Sequence, residues 1–398
     1  MNGSIIYRIS MKRSLCILLI VLTAIGCSRD IPPNIVLQGH TERLFHIAFS
    51  PNSKQIVTTS ADGTARIWCA ESGKELKKLE GNMKDVFIAK FSLDGKIVVT
   101  VDGEWGSRQR IEDPVTNTVR IWDTGSGKEL LKLEGQMFIG EDPHFSPDGK
   151  TIVTQTGAFD SIARIWCIDS GNELLKLEGD GGGKGITSFA FSPGGQKIAI
   201  ARYCLTEHSS KIHIWDAVMG NKIQEFEIEK EDVPHGAYIG TVIFLSDGKK
   251  VVALTHDNFV RVWDTESGEK LQTLTEHAEH GTVATLSSDG KRLITTNKSK
   301  AVRIWDIATG KELQNLAVNT HAFVAAFFPP DEKRIVTLGC CDNFVRVWDV
   351  ATGKELFKLR LQPIRDDTSV TFLSDFSPNG KKVATSRTVN SVGIWNLE

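Results

Sequence analysis

Residues 49–76 decide the fold. They open on Phe49-Ser50-Pro51-Asn52, pass through Ala65-Arg66-Ile67-Trp68 and close on Ser72-Gly73-Lys74-Glu75-Leu76. The first and last pieces carry turn chemistry, because Pro, Asn, Ser and Gly favour bent backbone. Between them lies the β-branched run Ile56-Val57-Thr58-Thr59. Such a run, bounded by turn residues, reads as a short strand.

The same marks recur along the chain. Ile-Trp or Val-Trp stands at Trp68, Trp122, Trp166, Trp215, Trp263, Trp305, Trp348 and Trp395, at steps of 42 to 54 residues. The opening mark returns as Phe145-Ser146-Pro147-Asp148-Gly149 and Phe376-Ser377-Pro378-Asn379-Gly380, with relatives in every other repeat. The closing mark follows seven of the eight Trp residues, as in Thr352-Gly353-Lys354-Glu355-Leu356. Each repeat supplies four short strands. One such sheet cannot bury both of its faces, so the repeats are expected to stack radially as blades.

This predicts an all-β chain forming a single closed eight-bladed propeller over residues 35–398. Seven blades with a stray unit is the competing count. The last repeat stops after its Trp strand. Ile35-Val36-Leu37-Gln38-Gly39-His40 copies the outer-strand pattern of Leu130-Leu131-Lys132-Leu133-Glu134-Gly135. The N-terminal strand is therefore expected to complete the eighth blade.

The pattern resembles the WD40-repeat family. The period, the Trp-Asp pairs at 122–123, 215–216, 263–264, 305–306 and 348–349, and the turn Asp62-Gly63-Thr64 all fit it. The resemblance implies a structural network of His40, Thr58, Asp62 and Trp68 in the first blade. Asp160, Asp257 and Asp342 keep the Asp in three others, while Thr116, Ser209, Ser299 and Val389 replace it in the rest. The His position is mostly lost, with Asn82, Gln136 and Asp180 standing there.

The 398 residues are 40% apolar and 24% charged, with net charge -2, which excludes wholesale disorder and gives no sign of a nucleic-acid partner. The apolar run Leu15–Ile25 follows Lys12 and Arg13. It is too short to span a bilayer and suits the core of a signal peptide. It ends in Leu22-Thr23-Ala24-Ile25-Gly26-Cys27, which resembles the lipobox of bacterial lipoproteins. The resemblance implies a signal over 1–26, lipidation at Cys27 and a short tether over 27–34. Met11 is an alternative start. Loss of Arg8, Lys12 and Arg13 with the signal, and of no acid, would take the net charge from -2 to -5.

Of the seven Cys residues, Cys16 lies in the signal and Cys27 is the lipid site. Cys69, Cys167, Cys204, Cys340 and Cys341 share no regular spacing and read as packed side chains, not a disulfide framework. No phosphate loop, nucleophile elbow or metal-ligand constellation stands out, and His277-x-x-His280 reads as a solvated loop. We expect no enzyme, no cofactor and no metal.

The departures from the repeat carry more information. Blade two has a long insertion, Val101–Asn117, containing Trp105, Arg108 and Arg110. Blade four has a lengthened loop, Tyr203–Lys211, with His208, and blade five a lengthened approach, Ile228–Tyr238, with His235. Likeness to WD40 propellers implies that these connections share the usual partner-binding face. An aromatic flanked by Arg matches interface composition. Trp105, Arg108, Arg110, Tyr203, His208, His235 and Tyr238 are thus the candidate partner-binding residues.

The leading expectation is a non-catalytic, membrane-tethered scaffold, monomeric as a propeller, in the bacterial cell envelope. The outer membrane is weakly favoured because Ser28 follows Cys27. Its partner would be an envelope protein or peptide. The alternative is a ligand-binding or sensor propeller using the central channel for a small molecule or glycan.

Overall fold

The computed structural model describes residues 32–81, 85–103, 117–137, 142–156, 162–179, 184–204, 209–228, 239–255, 259–274, 283–287, 289–296, 301–317, 323–329, 331–339, 344–360 and 373–397. They form an eight-bladed β-propeller. Six blades are separate four-stranded antiparallel sheets; blades two and three are joined by one backbone pairing, Met137 with Thr156.

Blade one shows the plan. Its strands run from the inside outward as Leu44–Phe49, Gln55–Ser60, Ala65–Cys69 and Glu75–Leu79. The middle strands are buried on both faces, because neighbouring blades cover both. Accordingly Ile56, Val57, Thr58 and Thr59 are all inaccessible. Trp68 of blade one packs with Ala384 and Ile394 of blade eight, and Trp122 of blade two with Val57 and Ile67 of blade one. The hydrophobic core is thus a ring of inter-blade seams. Eight sheets that cannot each bury two faces alone do so together.

The turns explain the repeated marks. In the first turn the Ser hydroxyl donates to the Asn or Asp two residues on and accepts the next strand's first N–H. Ser50 Oγ lies 2.8 Å from Asn52 Oδ1 and 2.9 Å from Gln55 N. Ser146 and Asp148 repeat this at 2.6 Å. In the second turn Gly73 sits at φ +71°, where a Cβ is disfavoured and would also lie 2.5 Å from Ile35 Cγ2.

Among the described residues, two turns use a non-glycine residue at positive φ, Ser53 at 61° and Glu332 at 50°. Each is tied to a neighbouring blade. Ser53 Oγ accepts the Asn379 N–H at 3.0 Å, and Glu332 Oε2 takes the Arg292 Nη2 at 2.6 Å.

Blade eight consists of Ser374–Phe376, Lys382–Thr388, Ser391–Asn396 and, as its outer strand, Ile35–Gln38. Ile35 pairs with Ile394 and Gln38 with Ser391, antiparallel. Lys382 Nζ reaches back across the seam to the Ala70 carbonyl at 2.9 Å.

Candidate functional site

The strands alternate in direction, so each blade sends its first and third turns to one end of the ring. Its middle connection and the passage to the next blade emerge at the other end. His40 and Asp62 mark this second end in blade one. Here His40 Nδ1–H donates to Asp62 Oδ2 at 2.8 Å, which fixes the tautomer because a carboxylate only accepts. His40 Nε2 then accepts the Thr58 hydroxyl at 2.7 Å, and Thr58 Oγ1 accepts the Trp68 Nε1–H at 2.8 Å. Burial opposes charge on Asp62, but hydrogen bonds from His40 and Thr64 outweigh it and hold the carboxyl well below its ordinary range. The four expected network residues are therefore joined in one hydrogen-bonded file, Asp62–His40–Thr58–Trp68.

Part of this network is repeated. Trp122, Trp166, Trp305 and Trp348 donate to Thr100, Thr154, Thr295 and Thr337 at 2.8 to 2.9 Å. In blade four Ile200 stands at the Thr position, and Trp215 Nε1 has no hydrogen-bond partner among the described residues.

A second repeated pair escaped the sequence reading. The Arg two residues before the Trp reaches the Glu that opens the outer strand. Arg66–Glu75 and Arg120–Glu129 close at 2.6 Å, Arg303–Glu312 and Arg346–Glu355 at 3.5 Å, and Arg164 pairs with Glu173. The signal was present in the sequence, in the Arg-Ile-Trp and Gly-Lys-Glu-Leu marks. It read as strand and turn chemistry because only the folded register shows that the two charges meet.

The three lengthened connections leave from this same end. The blade-two insertion departs at Gly103 and returns at Asn117, the ends of Ile97–Gly103 and Asn117–Asp123. A Cβ on Gly103 would lie 1.9 Å from Asn117 Oδ1, so the two ends meet too closely for any side chain there. Below them Asp102, Arg120 and Glu129 form a charged file, with Arg120 Nε 3.8 Å from Asp102.

The blade-four segment Tyr203–Lys211, expected as a lengthened loop, is instead mostly lengthened strand: Lys197–Cys204 and Ser209–Asp216 pair as far as Cys204 with Ser209, and the connection departs and returns there. Its base is a buried file. Arg202 Nη1 lies 3.4 Å from His213 Nδ1, and His213 Nε2 lies 3.2 Å from Glu225. Burial disfavours the charged Glu225, but hydrogen bonds from Lys211 and Lys222 and the nearby His213 outweigh it and bring the carboxyl to about 2. The approach to blade five runs from the outer strand Lys222–Glu227 to Ile239–Phe244. These roots are held by ion pairs and strand pairing, so the connections rise from a fixed base.

Of the candidate partner-binding residues, Tyr203 is half-buried, paired in register with Gly185 and Ser210. Trp105, Arg108, Arg110, His208, His235 and Tyr238 lie outside the described residues, as does Cys27. So do Asp160, Asp257, Asp342, Thr116, Ser299, His277 and His280. Cys69 and Cys167, expected as packed side chains, are only partly buried free thiols at the position that holds Asp123 in blade two. The Ser72 and Ser170 hydrogen bonds that the turn otherwise gives to Asp lower both thiols from their usual value. The described His, Cys, Asp and Glu side chains form no group of three or more placed to hold a metal.

Comparison with known proteins agrees with this architecture. Residues 32–69, 268–306 and 310–349 match the WD domain, G-beta repeat family. These WD40 repeats support a place in the WD40 β-propeller family. The C-terminal WD40 domain of Sif2 superposes with a TM-score of 0.72 at 14% identity, covering 94% of this chain and all of that one. The computationally designed Ika8 protein gives 0.69 at 23% identity, covering 92% of this chain and all of that one. Coronin-7 of Rattus norvegicus is 36% identical over 100 residues, 24% of this chain. Eukaryotic translation initiation factor 3 subunit I of Drosophila grimshawi is 23% identical over 60% of this chain and 69% of its own length. The matched stretch spans only a tenth of the length of Coronin-7.

Proposed function

We propose that the protein is a non-catalytic scaffold. It binds a protein or peptide partner through the connections of blades two, four and five, and it is held to a membrane of the cell envelope by lipid on Cys27. The observation that carries the partner reading is the common exit of the blade-two, blade-four and blade-five connections from one end of the ring. Repeats of the WD40 type support the same reading, since the relatives that share them include a coronin and an initiation-factor subunit. Trp105 with Arg108 and Arg110 supplies the aromatic and guanidinium groups that dominate protein interfaces.

The lipid reading rests on Lys12-Arg13, the apolar run and the small residues before Cys27. Several acyl chains, at about 0.8 kcal/mol per buried methylene, make a stable anchor. From Ser28 to Asn34 the tether reaches at most about 25 Å. Ile35 starts the outer strand of blade eight, so this blade faces the membrane most closely.

In-cell crosslinking followed by mass spectrometry tests the partner. The wild-type chain should capture one or a few envelope proteins, and the Trp105→Ala, Arg108→Ala, Arg110→Ala variant should lose them. Equal capture by both sinks the assignment of this face. The anchor is tested separately, because Cys27→Ser should move the protein from the detergent phase to the aqueous phase on Triton X-114 partition.

A further inference from the structure

Exposed apolar side chains gather at one end of the ring, the end of the first and third turns. Among the described residues ten large apolar side chains are exposed, and all ten lie in or beside such a turn. Seven are the second residue of an outer strand, just past the third turn, as Leu76 in Glu75–Leu79 and Leu356 in Glu355–Arg360. The other three are the most exposed and sit in the turns themselves: Leu93 at 62%, Val218 at 70% and Met219 at 74%.

Blade four differs from the other blades at this end. Its third turn carries Val218-Met219 where others carry Glu71-Ser72, Asp169-Ser170 and Glu266-Ser267. Its first turn, Ser192-Pro193-Gly194-Gly195-Gln196, lacks the charges of Asp148-Gly149-Lys150. The one charge in the two turns is Asp216, and its Oδ1 accepts the Val218 and Met219 N–H groups, both at 2.8 Å. The Gly220 N–H donates to the Asp216 carbonyl at 3.0 Å. The tip thus presents two apolar side chains while its own backbone donors are satisfied, which lowers the cost of leaving water. Gly220, at φ +74°, seats the tip on blade three, since a Cβ there would lie 2.9 Å from Leu175 Cδ2.

The chain from Cys27 enters at this same end. The Asn34 N–H donates to the Ile394 carbonyl at 2.8 Å, and Asn34 Oδ1 accepts the Asn396 N–H at 2.8 Å. Ile35 lies beside Gly73 in the third turn of blade one. From Ser28 to Asn34 the tether reaches at most about 25 Å. The opposite end of the ring is farther by one strand, about 20 Å for six residues at about 3.4 Å each. A tether this short therefore brings the end with Val218 and Met219 to the bilayer. Blades eight and four stand opposite each other in a ring of eight, so acyl chains at one and an apolar tip at the other hold the ring flat. Acid and base alternate in the other turns of this end, as in Asp94 and Lys96 at 3.7 Å, so apolar insertion, not charge, is the attraction.

We propose that Val218 and Met219, assisted by Leu93, insert into the surface of a phospholipid bilayer. The propeller then rests on the membrane by its first and third turns and presents the connections of blades two, four and five away from it. The inference rests on the lipid reading of Cys27, which brings the ring to the membrane.

The lipidated full chain, reconstituted into phosphatidylcholine vesicles brominated in the acyl chains, tests it. Val218→Trp should lose about half of the emission it adds to wild type, as expected for a side chain about 5–10 Å into the headgroup boundary. Asn390→Trp, on the exposed middle connection of blade eight at the opposite end, should lose none. Met219→Trp repeats the measurement where Val218→Trp fails to fold. Flotation of the same vesicles reports the anchor by itself. A chain that floats while the emission added at 218 and 219 is untouched overturns the insertion and leaves the anchor standing. A wild-type chain that does not float overturns both. Equal quenching at 390 and 218 overturns the orientation. A dimer of the detergent-solubilised chain that Val218→Ser, Met219→Ser abolishes assigns the tip to a second copy and overturns the proposal.

Discussion

The Asp375 carboxylate of blade eight accepts the backbone N–H of Phe49 in blade one at 2.7 Å, across the seam where the two ends of the chain meet. Burial is the main influence on this carboxyl and raises it to about 6, against the two N–H hydrogen bonds that favour its charge. The folded state thus holds the proton more tightly than the unfolded chain. Stability is highest at low pH for this group and falls as pH rises from about 4 through 6. Asn at 375 can still accept the Phe49 N–H without carrying charge, at the cost of the Phe376 N–H bond that the second carboxylate oxygen accepts. Asp375→Asn should raise stability at pH 7.5 by about 2 kcal/mol, and the gain should vanish at pH 4. Thermal melts at the two pH values check this, and a loss at pH 7.5 would count against a buried, charged carboxylate.

Trp215 offers a test of the repeated Thr–Trp bond. Its indole N–H lacks a partner among the described residues, and Ile200 occupies the place that Thr58 holds in blade one. Val and Thr have nearly the same shape, and in an apolar core Thr is ordinarily the worse by about 1–2 kcal/mol. At position 200 the hydroxyl finds a waiting donor. Ile200→Thr should therefore be at least as stable as Ile200→Val by chemical denaturation. At position 58 the order reverses, and Thr58→Val should cost about 2 kcal/mol by stranding Trp68 and His40.

Glu332 and Arg292 tie blade seven to blade six. Arg292 Nη2 lies 2.6 Å from Glu332 Oε2, Arg292 Nη1 donates to the Glu332 carbonyl at 3.1 Å, and Glu332 Oε1 accepts the Asp289 N–H at 3.0 Å. Glu332 holds φ at 50°, a conformation that favours glycine. Glu332→Gly relieves that backbone but removes the pair. We expect a net loss of about 1 kcal/mol, because charge-assisted hydrogen bonds from a partly buried pair outweigh the glycine gain. A double-mutant cycle with Arg292→Met should give a coupling of about 1 kcal/mol or more, and a coupling near zero would show the pair to be incidental.

The blade count, the seven internal outer strands and the first-blade network were all legible in the sequence. Each rests on local chemistry repeated at a fixed period, as in Ser50-Pro51-Asn52 and Ile67-Trp68. Pairings that form only through register were not legible. Arg66 and Glu75 are nine residues apart and meet because the third and outer strands run antiparallel. Lys90 and Asp142 are 52 residues apart, and only the stacking of blade three on blade two brings them together. Drift from the repeat was readable as drift. Lys90 and His144 stand where other blades carry Ala, Ile, Thr, Phe or Asp, but which neighbouring blade each meets follows from the stacking of the blades alone.

Two imidazoles beside the Lys90–Asp142 pair predict a second pH response, opposite in sign to that of Asp375. Burial is the largest influence on His46 and lowers it to about 4, with Lys90 adding to the fall and Asp142 and the Ala89 backbone opposing it. Burial and then Lys90 lower His144 to about 3, and Asp142 opposes them. Both imidazoles are thus neutral in the folded ring at pH values where the unfolded chain would protonate them. Their stability contribution is complete above about pH 6.5 and is lost as pH falls toward 4. Replacing one imidazole by a neutral group removes its share of the loss. His46→Gln should flatten the fall in melting temperature between pH 6.5 and 4.5, whatever it does to stability at pH 7.5. A slope equal to wild type would mean that the His46 side chain protonates freely inside the ring.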